Sequence, residues 1–328
     1  LWQAALSATI SVALAVPVAR ALARRRFAGR GLVITLMGAP FILPTIVAVL
    51  GIVAVFGRSG AVNTLLSPLG LEVSPFGAQG VILAHVFFNL PLAVRLVLQG
   101  WLSIPAERFR LAASLGMGAG PIQRSIEWPM LRAVLPGAWM LIFALCLTSF
   151  AVALALGGGP GATTVELAIY QAFRFDYDLG AAASLGLVQF GLAGVAALLA
   201  WGVARPTVFA GGLGGVVRCW DGGGWLRAQD AAALACAALF LLAPLGAVAL
   251  RGLGGFLDMP AAVWWALGRS VTVALCSATL CLALALPLAL AARRGLWAQV
   301  IAVLPIAASP LVIGTGLFIL SYRWVRPD

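Results

Sequence analysis

Residues 79–101 read QGVILAHVFFNLPLAVRLVLQGW, and this stretch decides the fold class of the chain. Arg95 is its only charged residue, and apolar side chains fill most of the other positions. An α-helix needs about 20 predominantly apolar residues to cross the hydrocarbon core of a bilayer. The stretch therefore predicts a transmembrane helix rather than a helix of a water-soluble domain.

The same pattern recurs along the 328-residue chain. Hydrophobic residues make up 62% of the sequence and charged residues 9%, and the mean hydropathy is +1.06. A soluble domain carries about 25% charged residues, so this composition excludes a water-soluble globular enzyme. We predict an all-α, polytopic transmembrane helical bundle with eight membrane spans. The predicted spans are residues 1–19, 32–56, 79–101, 134–156, 184–204, 231–250, 268–292 and 298–320.

The charge of the chain indicates its orientation in the membrane. All 21 basic residues are arginines, against 10 acidic residues, which gives a net charge of +11. If residues 20–30 are cytoplasmic, the alternation of spans places most arginines on that same side, as the positive-inside rule requires. The positive charge is therefore explained by the orientation of the protein in the lipid bilayer, and we expect no nucleic-acid partner. The predicted cytoplasmic segments are 20–30, 102–133, 205–230 and 293–297.

The sequence contains no recognisable catalytic or metal-binding motif. It shows no paired carboxylates and no nucleophile–histidine–acid pattern, and its five cysteines include no Cys-x-x-Cys pair. Four of these cysteines lie in predicted spans, where they are typical of small core residues. We therefore expect no catalytic residue, no metal site and no cofactor bound by this chain.

An internal repeat indicates a duplicated bundle. At an offset of 270 residues, the Ser-Ala-Thr tripeptide at 7–9 matches 277–279, Pro17 matches Pro287, and a basic turn follows each copy. Because six spans separate the copies, both would run in the same direction, as a tandem parallel repeat of a six-helix unit. Duplicated bundles are frequent among transporters. The alternative is a composition that unrelated transmembrane helices share.

This repeat predicts the domain organisation. Residues 1–204 would form the first half, 205–230 a glycine-rich cytoplasmic linker and 231–328 an incomplete second half. The repeat would then be truncated at both ends.

Residues 102–133 are the least membrane-like internal segment. Pro105 and Glu107 favour a helix start, and the stretch from Gly116 to Pro121 would end that helix before a second short one. Two short helices along the cytoplasmic surface of the bilayer are typical of a docking element. The alternative is a linker hairpin whose arginines reach the lipid headgroups.

The spacing in this segment resembles the EAA loop of ABC importer permeases, whose pattern is approximately E-A-A-x-x-x-G-x9-I-x-L-P. Gly116, Ile126 and Pro129 stand at the matching positions, and Ala112 stands at the second alanine. Three positions depart from the pattern: Arg110, Leu111 and Trp128. Arg110 replaces the usual glutamate, for which Glu107, one turn earlier, is a candidate substitute. The resemblance implies a coupling helix that docks in a groove of a cytoplasmic ATPase.

The resemblance extends over nearly the whole chain, which looks like the thiamine permease family of Gram-negative bacteria. It rests on residues 2–4, 24–27, 84–92, 126–129, 156–160 and 163–171. It implies two fused six-helix halves in the bacterial inner membrane that move thiamine or its phosphates by alternating access. It also implies two partners, a cytoplasmic ABC ATPase dimer that binds ATP and Mg, and a periplasmic substrate-binding protein. Ferric-iron permeases share the fused plan and are the alternative.

Two polar residues inside a predicted span are candidates for the translocation path. His85 and Asn89 lie one helical turn apart, before Pro91. Polar groups at membrane depth usually face a bundle interior or a cavity. They would line the path in one interpretation, and form a packed, hydrogen-bonded helix contact in the other.

A predicted outer segment contains further candidates. Asp176 and Asp178 lie two residues apart among aromatic residues, and this group would attract a cationic thiazolium ring. The alternative is an interfacial aromatic belt with turn-forming aspartates. The glycine-rich stretch 157–161 lacks the Lys-Ser/Thr end of a nucleotide-binding loop, so we do not assign it to nucleotide binding.

Two other transporter classes are less consistent with the sequence. A proton- or sodium-coupled secondary transporter needs buried acidic residues, and none of the ten acids lies inside a predicted span. A channel needs a selectivity ring or filter, and none is visible.

Overall fold

The computed structural model describes residues 1–38, 43–157, 163–203, 223–255, 259–292, 295, 297–298, 301 and 310–321. This described part is helical and contains no strand. The helices are α1 (Trp2–Arg24), α2 (Arg30–Leu36), α3 (Thr45–Phe56), α4 (Ala61–Leu66), α5 (Ala78–Leu102), α6 (Ala106–Ser114), α7 (Ala119–Leu147), α8 (Phe150–Leu156), α9 (Val165–Arg174), α10 (Leu179–Val203), α11 (Gly224–Leu253), α12 (Ala261–Ala292) and α13 (Pro310–Ser321).

Seven helical stretches in the described residues are long and apolar enough to cross a membrane. They are Trp2–Arg24, Thr45–Leu69, Ala78–Leu102, Ala119–Leu147, Leu179–Leu199, Gly224–Leu253 and Ala261–Ala292. The prediction of an all-α polytopic bundle is thereby confirmed. In the eighth predicted span, 298–320, residues 299–300 and 302–309 lie outside the described residues, and α13 covers 310–320. The eight-span count and the parallel repeat stay predictions.

Two predicted spans are interrupted, so their prediction as continuous helices is wrong. In 32–56, Pro44 has an extended ψ of 135° and directly precedes α3, whereas α2 is a separate short helix. In 134–156, Ser149 is extended, with ψ of 97°, between α7 and α8. The Thr148 hydroxyl donates to the carbonyl of Ala144 at 3.2 Å. Such side-chain bonds offer the backbone an alternative to the helix, and the apolar pattern does not reveal them.

The core forms where α1 lies against α5. Small or short side chains recur on α1 every three or four residues and are buried; they are Ala4, Ser7, Ala8, Ser11, Ala15 and Ala19. Small residues let membrane helices approach closely, and α1 makes its most extensive contact with α5. α1 also contacts α7 and α11, so it lies at the centre of the described bundle.

The helices predicted for the second half differ in their packing. α11 begins at Gly224, inside the predicted linker 205–230, and packs against α1 and α3. Residues 205–222 of that linker lie outside the described residues. α12 has no buried side chain against the rest of the described chain. The division into two halves stays a prediction.

Candidate coupling site

The candidate site is the hairpin of α6 and the first turns of α7, which we call the coupling hairpin (residues 105–129). Pro105 precedes α6 as its N-cap, with an extended ψ of 135°. Glu107 lies in the first turn, where the helix dipole stabilises a negative charge. Phe109 and Ala112 are buried on one face of α6. That face holds the hairpin against the bundle core.

The opposite face of α6 is open to solvent. Glu107 and Arg110 are exposed, and two apolar side chains beside them are also exposed: Leu111 is 61% and Leu115 is 67% accessible. Exposed apolar groups surrounded by charge are typical of a protein-interaction surface. Of the predicted motif residues, Ala112 thus faces inwards and Glu107 and Arg110 face outwards.

Gly116 ends α6 because its backbone is left-handed, with φ of 63°. Its amide donates to the carbonyl of Ala113 at 3.0 Å, and the amide of Met117 donates to that of Ala112 at 2.9 Å. These two bonds are the pair of a Schellman motif, in which glycine is favoured because it has no Cβ. The predicted helix end at Gly116 is present.

The return arm of the hairpin continues into α7 without a loop. Residues Gln123–Glu127 form one wide turn of π-helix within Ala119–Leu147. Ile126 is buried in the core, whereas Pro129 is exposed in the first turn of the following regular helix. Displacement of the hairpin therefore acts directly on a membrane-capable helix.

Glu127 attaches this turn to two other helices. Its carboxylate is 1% exposed, and Oε1 accepts from Arg24 Nε of α1 at 2.9 Å and from Trp101 Nε1 of α5 at 3.0 Å. Sequence reasoning missed this residue as a site residue. The sequence did contain a signal: Glu127 precedes an apolar stretch, and the arginines at 24–26 offer it a partner of opposite charge.

A second buried carboxylate binds arginines at the same end of α1. Asp230 of α11 is 2% exposed and accepts from Arg25 Nε at 2.6 Å and from Arg20 Nη1 at 3.2 Å. It lies just before the predicted span 231–250. The argument against a secondary transporter assumed that buried acids would lie inside the predicted spans. Glu127 and Asp230 are buried although they lie outside those spans, and both are paired with arginines.

His85 and Asn89 lie inside the helix bundle. His85 Nδ1 is 3.5 Å from the Ser7 hydroxyl of α1. The Asn89 amide donates to the His85 carbonyl at 2.8 Å and to Cys146 Sγ of α7 at 3.4 Å. These contacts are those of a packed, hydrogen-bonded helix junction, and a role in the translocation path stays a prediction.

The outer aspartates have local roles in the structure. Asp178 precedes α10, and its Oδ1 accepts from the amide of Ala181 at 2.8 Å, as a helix N-cap does. Asp176 is exposed. Tyr170 contacts Phe150 and Phe175, with ring centroids 5.0 and 5.8 Å apart. This is the local geometry expected for a turn-forming aspartate beside an aromatic group.

The acid buried in this outer region is Glu166, which sequence analysis did not single out. Its Oε1 accepts from the amide of Gln189 at 3.3 Å, and the same amide donates to the Leu147 carbonyl at 2.8 Å. Apart from Gly157, the glycine-rich stretch 157–161 lies outside the described residues.

The known proteins to which the chain is similar include several transport system permease proteins. The chain is 43% identical to the thiamine transport system permease protein ThiP of Escherichia coli over 97% of its length, and 38% identical to ThiP of Brucella abortus over its full length. It spans 62% and 63% of those two relatives. The molybdenum transport system permease protein ModB of Mycobacterium bovis is 32% identical over 62% of the chain and 76% of the relative. No family model matches the chain.

These relatives are named as permease proteins and not as enzymes. The similarity to ThiP of Brucella abortus runs over the full length of the chain and therefore includes the coupling hairpin. Seven helices in the described part of the chain are membrane-capable. The chain is a multi-pass protein of the bacterial inner membrane, and it belongs to the family of ABC transport system permease proteins.

Proposed function

We propose that the chain acts as the membrane permease of an ABC importer that carries thiamine or its phosphates. The observation that carries this proposal is the identity of 43% to a thiamine permease over 97% of the chain. The chain spans about 62% of that relative, so its substrate and its partners are part of the proposal. Because a molybdenum permease is among the relatives, an assay of thiamine uptake should also measure uptake of an oxyanion such as molybdate.

The proposed motor is a cytoplasmic ABC ATPase dimer that docks on the exposed face of α6. Leu111 and Leu115 lie four residues apart, hence on one side of the helix, and Glu107 and Arg110 flank them. Apolar centres with polar rims are common in protein interfaces. ATP and Mg belong to this ATPase in the proposal, and the chain contributes the docking surface.

In the proposed mechanism, closure of the ATPase dimer displaces the coupling hairpin. Phe109, Ala112 and Ile126 anchor the hairpin in the core, so the displacement is passed to the bundle instead of being absorbed by a loose loop. Because the hairpin continues into α7, and α7 packs against α1 and α10, those helices move with it. A periplasmic binding protein would deliver substrate to the opposite side.

Reconstitution tests this function. The full-length protein is placed in lipid vesicles with its ATPase and its binding protein, and uptake of labelled thiamine, molybdate and ferric iron is compared. We expect thiamine uptake that requires ATP and is insensitive to an ion gradient. Uptake driven by a proton or sodium gradient alone would overturn the importer proposal, and uptake of molybdate or iron in place of thiamine would overturn the substrate.

The docking face is tested separately by crosslinking. A cysteine at Leu111 is expected to crosslink to the ATPase, whereas a cysteine at Leu65, which is exposed on the predicted outer side, serves as the matched control. The five native cysteines are replaced first. Crosslinking from position 65 and not from position 111 would reverse the proposed orientation.

A further inference from the structure

The cytoplasmic end of α1 lies between two buried carboxylates that belong to different helices. Arg24 binds Glu127 of α7, whereas Arg20 and Arg25 bind Asp230 of α11. We call these five residues the arginine junction. Its members are far apart in sequence, by 103 residues for the Arg24 pair and 205 for the Arg25 pair, so the junction is a tertiary feature.

The burial of these charges distinguishes them from an ordinary surface pair. Glu127 and Asp230 are almost fully buried, and the arginine side chains are 11% to 15% exposed. Once a buried pair is formed, removal of one partner leaves an uncompensated charge, which is strongly unfavourable. By contrast, the ion pair of Arg58 with Glu72 spans 3.7 Å and is exposed, so it contributes little. The two carboxylates therefore resist separation from α1 in a way that a surface pair does not.

The position of the junction suggests a role beyond stability. Glu127 is the last residue of the wide turn that joins the coupling hairpin to α7, and Asp230 lies in the first two turns of α11. α1 contacts both helices and connects them through its arginines. Any displacement of the hairpin that keeps the buried pairs intact must also displace the start of α11.

We propose that the arginine junction makes the coupling hairpin and the cytoplasmic end of α11 move as one unit, with Glu127 and Asp230 as positioning residues. This inference rests on the proposed importer function for its biological role. The existence of the rigid link itself is independent of substrate and ATPase.

The first experiment measures the link in the full-length protein without partners. Spin labels are placed at Ser125 and Gln229, which are exposed and lie close in sequence to the two carboxylates. In lipid nanodiscs we expect a narrow distance distribution, which broadens by about twofold in Glu127→Gln and Asp230→Asn. The matched control is Glu72→Gln, which removes the charge of an exposed pair and should leave the distribution unchanged. Equal widths in all four proteins would overturn the proposal.

The second experiment uses the unmodified junction, so that misfolding of a variant cannot decide the result. In the complex with the ATPase, the distance from Ser125 to Gln229 is compared with that from Ser125 to Leu65, with and without a non-hydrolysable ATP analogue. We expect the first distance to stay constant while the second changes. A change in the first distance as large as that in the second would overturn the link. If the ATPase fails to bind, the proposed function fails, and the nanodisc measurement still decides the junction.

Transport provides a readout that a purely structural role would not produce. Typical coupling free energies correspond to changes of about 5- to 150-fold, so we expect uptake per ATP hydrolysed to fall about tenfold in each single variant. The double variant should be no worse than either single one, because each breaks the same link. Multiplying losses would show two separate roles and would refute a shared junction.

Discussion

Replacement of Gly116 tests whether the shape of the coupling hairpin matters for transport. Gly116 has φ of 63°, and a Cβ built there would meet no heavy atom within 4 Å. A side chain at this position therefore causes no clash, and its cost is that of the left-handed backbone, about 1 to 2 kcal/mol for alanine. That free energy changes the ratio of formed to unformed helix ends by a factor of about 5 to 30.

We expect Gly116→Ala to insert into the membrane in normal amounts, because α6 lies outside the bilayer spans and Gly116 is exposed. Uptake per ATP hydrolysed should fall about fivefold or more, because the two Schellman bonds no longer hold the hairpin in one shape. Gly116→Asn should retain more activity, because asparagine tolerates the left-handed region better.

Gly118 provides the matched control. It is two residues further on and exposed, with no heavy atom within 4 Å of a built Cβ, but its φ is −76°, which alanine adopts without strain. The assay compares ATP hydrolysis and uptake of Gly116→Ala, Gly116→Asn and Gly118→Ala in the same reconstituted complex. Normal coupling in Gly116→Ala, or an equal loss in Gly118→Ala, would refute the reasoning from backbone conformation.

Three further substitutions give separate predictions. Leu111→Asp should weaken ATPase binding in a pull-down by about tenfold, since it places a charge in the centre of the proposed docking face; the outer-side Leu65→Asp should have no effect, and equal binding by both would contradict the interface. Asp178→Ala should lower stability by about 1 kcal/mol through loss of the α10 N-cap, whereas Asp178→Asn should keep both stability and uptake, because asparagine also caps helices; lost uptake in a stable Asp178→Asn protein would instead indicate a cation site. Asn63→Ala should lower the thermal midpoint and expose the loop after α3 to protease, because the Asn63 amide group bonds the backbone of Phe56, Gly57 and Val73, and an unchanged digestion pattern would contradict this role.

The membrane helices were predictable because their signal is local. A stretch such as 79–101 has no other way to bury its apolar surface, and α5 spans it almost residue for residue. The interruptions at Pro44 and Ser149 were missed because hydropathy averages over a window and does not register one extended residue. The helix end at Gly116 was predicted from the same kind of local information.

The sequence offers a weak signal for the buried acids, but it does not show which arginines pair with them. Glu127 and Asp230 lie beside predicted spans, where charged residues are commonly exposed to water or lipid headgroups. Their burial depends on arginines more than 100 residues away, and only the packing of α1 against its neighbours brings these groups together. The sequence shows the ends of helices, and the fold determines which ends meet.

α12 leads to a different expectation for the energetics of the protein. No side chain of this helix is buried against the rest of the described chain, and we expect lipid to cover its apolar surface. Apolar exchanges along it, such as Leu280→Ile, should therefore leave the melting of the remaining helices unchanged, whereas bilayer thickness should alter the tilt of α12 alone. Denaturation in detergent would then proceed in two stages, and a single transition temperature would describe only the part of the molecule that packs against itself.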